Sequence, residues 1–296
     1  MNVGKRALII AILAVIGTSA CSGDTARPTV TATPTAVPAT IVDLAYAHQS
    51  SAERLDLYLP ARSGRAPLVM WIHGGAFSVG DKSSITADES GPAPTPNGSL
   101  GPYQIQHPHV DDLLARGYAV ASLDYRMEGP VKGAPDAVRD AKAAVRFLRA
   151  AAARYRLDPD RFAVWGNSAG AYMAVMLGVT GDQRTVYDDP AMGNGSVSSA
   201  VQAVVDWYGP MALPDDPITH IATARSLPPF LIAQGTADQS VNPADAQDLQ
   251  AALVRAGARS TLTMIRGAGH EDHAFSATQL PATYAFLDQA FGRPTG

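Results

Sequence analysis

The stretch Gly166-Asn167-Ser168-Ala169-Gly170 limits what this chain can fold into more than any other, because it sets one serine between two glycines where an apolar run meets a helix. Arg161 to Trp165 before it is β-prone, and Ala171 to Leu177 after it is apolar and rich in helix formers, so the context reads strand, sharp turn, helix. A turn so tight strains the backbone, and a Cβ at 166 or 170 would crowd the adjoining strand or helix; glycine is therefore expected at both. This is the setting of a nucleophile elbow. The pattern alone is cheap in a chain with 26 glycines, and its partners decide what it means.

Around that turn, strand-like and helical runs alternate from residue 41 onward. Ile41 to Ala47 and Arg54 to Leu59 read as an antiparallel start, and Pro67 to Ile72 is apolar throughout, as a strand covered on both faces should be. Tyr118 to Leu123, Ala200 to Trp207, Pro229 to Ala233 and Ser260 to Ile265 are further strands. Helices are expected near Val110, over Ala134 to Tyr155 with Val138, Ala141, Val145 and Leu148 as its buried face, over Pro243 to Ala256, and near Pro281 to Phe291. Leu157 to Asp160 reads as a turn into the strand before the elbow, and residues 83–106 as a long polar insertion. The alternation predicts an α/β fold with a mostly parallel central sheet and helices on both faces.

A serine hydroxyl is a poor nucleophile at neutral pH; it needs a base, a carboxylate to orient that base, and donors for a developing oxyanion. Candidates for all three stand at predicted strand ends, which in a parallel sheet lie along one edge. Asp238 and Asp206 both end strands, although Asp206 sits in a Trp-Tyr-Gly-Pro context that reads as structural. His270 has a rival in His273, three residues on.

Six motifs carry a resemblance: His73-Gly74-Gly75-Ala76-Phe77 with Gly80-Asp81-Lys82, Asp124-Tyr125-Arg126, the Ser168 pentapeptide, Asp206-Trp207-Tyr208-Gly209-Pro210, Gly235-Thr236-Ala237-Asp238, and Gly267-Ala268-Gly269-His270. Over about residues 44–291 the chain resembles the α/β-hydrolase esterases and lipases, near the hormone-sensitive-lipase type and the feruloyl or acetyl xylan esterases. The resemblance implies a serine carboxylic-ester hydrolase with Ser168, Asp238 and His270 as its triad. It also implies backbone donors at Gly74, Gly75 and Ala169, and it places the base directly after Gly-Ala-Gly. His73 is given a structural role, ordering the glycine loop through hydrogen bonds. Asn167 stands where these esterases usually carry Glu, Asp or His, and Gln234 where His is common. An amide hydrolase of the same fold, and a tethered binding protein that has lost catalysis, are the competing functions. The expected partner is a small-molecule or glycan-linked ester.

Residues 1–21 read as an export signal: Lys5 and Arg6 precede a short apolar run, Ala7 to Ile16. Cys21, after Thr18-Ser19-Ala20, resembles the lipid-modified cysteine of bacterial lipoproteins, with Thr18 in place of the usual leucine. The alternatives are a lipid anchor at Cys21 or a cleaved signal and a secreted protein. The run is shorter than the ~20 residues that span a bilayer. Residues 22–40, rich in Thr and Pro, suit an extended tether, followed by the catalytic domain at 41–296. A net charge of −4 without a basic stripe argues against nucleic acid. No cofactor and no metal are expected: His107 and His109 lack a third ligand in register and read as exposed loop histidines. The insertion is expected to form a flap over the site, with Tyr103 and Ile105 facing the substrate.

Overall fold

Every side chain of the strand Ala66–Ile72 is buried, and alternate ones enter different cores: Leu68, Met70 and Ile72 pack in one, Val69 and Trp71 in the other, as a two-residue period requires. The computed structural model describes residues 39–86 and 106–292, all within the unit Thr35–Gly296. In chain order its elements are β1 (Ala39–Ala45), β2 (Arg54–Leu59), β3 (Ala66–Ile72), α1 (Val110–Ala115), β4 (Ala119–Leu123), α2 (Gly133–Ala150), α3 (Ala152–Tyr155), β5 (Leu157–Asn167), α4 (Ala169–Thr180), β6 (Ala203–Trp207), α5 (Ile218–Ile221), β7 (Phe230–Gly235), α6 (Pro243–Arg255), β8 (Ser260–Ile265) and α7 (Ala274–Ala290). The export signal, Cys21, the tether up to residue 38, and the body of the insertion with Tyr103 and Ile105 lie outside the described residues.

The strands form one eight-stranded sheet in the order β1-β2-β4-β3-β5-β6-β7-β8. β1 with β2 and β2 with β4 are antiparallel, and all other pairs are parallel, so the expected mostly parallel sheet is present. One face packs on Val138, Ala141, Val145 and Leu148 of α2, on α4, and on Leu249 and Leu253 of α6. The other packs on Leu113 of α1 and on Leu280, Tyr284 and Leu287 of α7. Every residue of α4 is buried, which explains why its sequence is apolar all round rather than striped.

From β3 the chain crosses to β4 on one side and then returns to β5 on the other. The carboxyl ends of β3 and β5 therefore flank a topological switch point, where an open α/β sheet leaves a crevice. The glycine loop leaves β3 there, and Ser168 leaves β5.

Four expectations need correction. The helix expected over 134–155 is two, because Ala151 leaves helical geometry between α2 and α3. Leu157 is already paired with Ala66, and a register shift over 158–161 precedes the Leu68–Phe162 pair, so the expected turn is an irregularity inside β5. The last helix starts at Ala274, not near Pro281; Asp272 Oδ1 accepts the Ala274 amide (2.9 Å) and caps it, and Pro281 lies inside. Burial of Phe275, Leu280, Tyr284 and Leu287 offsets the roughly 3 kcal/mol an interior proline costs. Lastly, His107 is buried, its ring 6.1 Å from that of Trp71; only His109 is exposed.

Candidate active site

Ser168 adopts φ +52°, ψ −118°, a sparsely populated positive-φ conformation that costs a non-glycine residue about 1–3 kcal/mol. The flanking glycines make the turn possible. A Cβ on Gly166 would lie 2.1 Å from the carbonyl carbon of Gly170, and one on Gly170 would lie 2.0 Å from the carbonyl oxygen of Ile72, far inside contact distance.

Three strand ends deliver the expected residues to one place. His270, after β8, has Nε2 3.0 Å from Ser168 Oγ and Nδ1 2.8 Å from Asp238 Oδ2; Asp238 follows β7. Since a carboxylate only accepts, Nδ1 carries the proton and Nε2 is free to accept that of the serine hydroxyl. The two loops touch closely: Ala237 donates its amide to Ala268 (2.9 Å), and a Cβ on Gly235 would lie 2.4 Å from that same carbonyl oxygen.

Asp238 Oδ1 accepts the amides of Ser240 and Val241 (both 2.9 Å). Burial works to raise its pKa, but the hydrogen bond and charge of His270, together with these amides, outweigh it and hold the carboxyl below its ordinary value. That lowering favours the ionised carboxylate. Asp206, by contrast, accepts nothing from His270: its Oδ1 accepts the Gly209 amide (2.9 Å), Oδ2 is buried without a partner among the described residues, and burial pushes its pKa up to about 7. His273 sits at the start of α7 and makes no described bond to Ser168 or Asp238.

The glycine loop is held from below. His73 is fully buried; its Nδ1 donates to the Gly74 carbonyl (2.7 Å), and its ring stacks on Tyr125 at 4.5 Å. Burial lowers its pKa to about 4, so it is a neutral strut rather than a base. Tyr125 donates to the His73 and Gly74 carbonyls (3.0 and 3.2 Å). Gly75, Ala76 and Phe77 all take positive φ (105°, 53° and 56°), a strain sustained by Phe77 being buried edge-on against Tyr172 (5.8 Å). Below, Lys82 reaches Asp43 (3.0 Å), Asp56 (3.5 Å) and Asp124 (3.9 Å), and Arg126 forks onto Asp140 (2.7–3.0 Å). Asp124, which also accepts the Lys82 amide (2.6 Å), thus ties the end of the glycine loop to the start of the next motif.

Gly75 and Ala169 line, with Ser168 and His270, a cleft of about 430 Å³ walled by Phe77, Val79, Leu213 and Val241. Gly74 stands against the serine: a Cβ there would be 3.2 Å from Ser168 Cβ. Among the described residues no group of three or more His, Cys, Asp or Glu is placed to hold a metal ion, and no helix is long and apolar enough to cross a membrane.

Some contributors escaped sequence reasoning. Gln234 donates from Nε2 to Asp238 Oδ2 (2.9 Å). Asn167 donates to the Tyr208 hydroxyl (2.9 Å) and to the Gln106 carbonyl, and Tyr208 packs its ring edge-on against His270 at 4.9 Å. The signal for Gln234 was available: a glutamine ending a strand of otherwise apolar residues must find a partner when buried.

Comparison with known proteins places the chain among α/β-hydrolase esterases. The BD-FAE family model matches residues 55–215, and the dienelactone hydrolase family model matches 191–287. The chain is 26% identical over 236 residues to a probable carboxylic ester hydrolase, LipM, of Mycobacterium tuberculosis, covering 67% of this chain and 48% of that protein. It is 28% identical over 254 residues to a probable isoprenylcysteine alpha-carbonyl methylesterase of Arabidopsis thaliana, covering 74% and 48%. It thus spans about half the length of these relatives. Among solved structures, a truncated carbohydrate esterase from gut microbiota superposes with a TM-score of 0.69 at 24% identity, covering 86% of this chain and 97% of that one. The propionate-bound esterase 2 of Thermogutta terrifontis gives 0.66 at 24%, covering 89% and 97%. These likenesses establish the α/β-hydrolase fold.

Proposed function

The chain belongs to the BD-FAE family, and from that premise we propose that it is a serine carboxylic-ester hydrolase working through an acyl-enzyme on Ser168. The observation that carries the reading is the unbroken chain from Ser168 Oγ through His270 to Asp238, at 3.0 and 2.8 Å, opening on an apolar cleft. The esterase names of its relatives support the same choice.

In this mechanism Ser168 Oγ attacks the ester carbonyl while His270 Nε2 takes its proton, and the Asp238 carboxylate holds the resulting imidazolium. The backbone N–H groups of Gly74, Gly75 and Ala169 are the candidate donors to the oxyanion, with Gly75 and Ala169 lining the cleft; each such donor is worth about 3–4 kcal/mol. The imidazolium then protonates the departing alcohol. Water, deprotonated by the same nitrogen, hydrolyses the acyl-enzyme. Export, with attachment through Cys21, is part of this reading and rests on the sequence of residues 1–21.

Labelling with a fluorophosphonate tests it. The parent should take one label, located on Ser168, and hydrolyse nitrophenyl esters; Ser168→Ala should fold and do neither. Turnover by a folded Ser168→Ala protein overturns the mechanism.

A further inference from the structure

Glu271 directly follows the proposed base and lines the same cleft as Ser168 and His270, where no Lys or Arg accompanies it among the described residues. Its backbone sits at φ +57°, a region a residue with a side chain enters only against steric resistance, and such outliers concentrate at ligand sites. Its carboxylate has no hydrogen bond and no ion pair among the described residues. His270 cannot supply one, because both of its ring nitrogens are engaged, by Ser168 and Asp238.

Glu271 is half-buried and lines an apolar cleft, a carboxylate without a counterion among the described residues. Burial raises its pKa, against the pull of the neighbouring imidazole, so the protein leaves the charged form under-compensated, and an entering cation would complete it. A polyhydroxylated ligand fits less well. Besides that of Ser168, the hydroxyls lining the cleft among the described residues are those of Ser78 and Ser240, and the Ser78 hydroxyl already donates to the Ala76 carbonyl (3.1 Å). Phe77, Val79, Leu213 and Val241 would instead pack against the methyl or methylene groups of an organic ammonium.

We propose that Glu271 is a specificity determinant that selects esters bearing a cationic nitrogen in the part of the molecule that enters this cleft. The proposal rests on the ester-hydrolase reading. It does not alter the chemical steps; it adds a charge pair to ground and transition states alike, so its effect falls mainly on KM.

The test compares butyrylthiocholine with its neutral isostere, S-(3,3-dimethylbutyl) thiobutyrate, in the parent, Glu271→Gln and Glu271→Lys. The readout is the ratio of kcat/KM for the two esters, from which any general loss of rate divides out. The parent should favour the cation by about tenfold or more. The ratio should fall to about one in Glu271→Gln and below one in Glu271→Lys. A parent ratio near one, a ratio unchanged in Glu271→Gln, or a stronger Glu271-dependent preference for a hydroxylated isostere overturns the proposal. Failure of the ester-hydrolase reading looks different: neither thioester turns over and Ser168 takes no fluorophosphonate label. Calorimetric titration with butyltrimethylammonium then decides, since binding by the parent that is lost in Glu271→Gln supports the site and equal or absent binding overturns it.

Discussion

Gln234 Nε2 and His270 Nδ1 donate to the same oxygen of Asp238, Oδ2, at 2.9 and 2.8 Å. With Oδ1 taken by two backbone amides, the carboxylate is fixed on both edges and cannot rotate away from the imidazole. Gln234→Glu replaces that donor with a second buried carboxylate, and two such groups cannot both ionise at close range. At pH 8 the repulsion should cut kcat/KM by about 10- to 100-fold. As pH falls the introduced group takes a proton and donates again, so the variant-to-parent ratio should rise between pH 8.5 and 6. Rates normalised to fluorophosphonate-titrated sites check this, and a ratio independent of pH contradicts it.

The two histidines separate cleanly. His270 alone bonds both Ser168 and Asp238, whereas His273 begins α7. Removing the proposed base should cost His270→Ala about 10³-fold or more in kcat, while His273→Ala stays within about tenfold of the parent. Steady-state hydrolysis of a nitrophenyl ester distinguishes them; the reverse ranking would move the role of base to His273.

What the sequence disclosed, and what it did not, follows from the range of the interactions. The elbow was legible because Gly166 and Gly170 answer a local steric demand, 2.1 and 2.0 Å approaches that any Cβ would violate. The strands were legible through their apolar runs, and the order Ser168, Asp238, His270 through their ends. Long-range pairing was not. Ala66 captures Leu157 into β5, and Trp71 covers His107, neither of which local composition can announce. The last helix begins ahead of Pro281 because Asp272 accepts the Ala274 amide and burial of Phe275, Leu280, Tyr284 and Leu287 overrides the proline, a tertiary effect that the local run does not display.

Cys21 lies outside the described residues, so its prediction rests on the signal-like pattern alone. After export from a bacterial host, the parent should partition into the detergent phase and Cys21→Ala into the aqueous phase, since one acylated cysteine is the proposed attachment. An exported parent already found in the aqueous phase would remove the anchor and leave a secreted enzyme.

Asp206 gives the molecule a pH-dependent weakness separate from catalysis. Its carboxyl is buried, with Oδ2 unpartnered, and burial moves its pKa from the ordinary 3.8 to about 7. The folded state therefore holds this proton through a range where the unfolded chain has released it. The associated stability is fully present below pH 4 and is lost as pH rises through about 7, with roughly 4 kcal/mol as its upper bound. Asp206→Asn keeps an oxygen to accept from Gly209 and has no charge to bury. The difference in Tm between this variant and the parent should become more positive from pH 5 to pH 8, by roughly 5 °C or more for a domain of this size. Thermal unfolding of both proteins across that range measures it. Asp124 and Asp140, which burial also raises to about 6, titrate in parent and variant alike and cancel in the difference. A difference that stays constant with pH would mean that Asp206 is ionised in the folded protein, and that some other group compensates its charge at the end of β6.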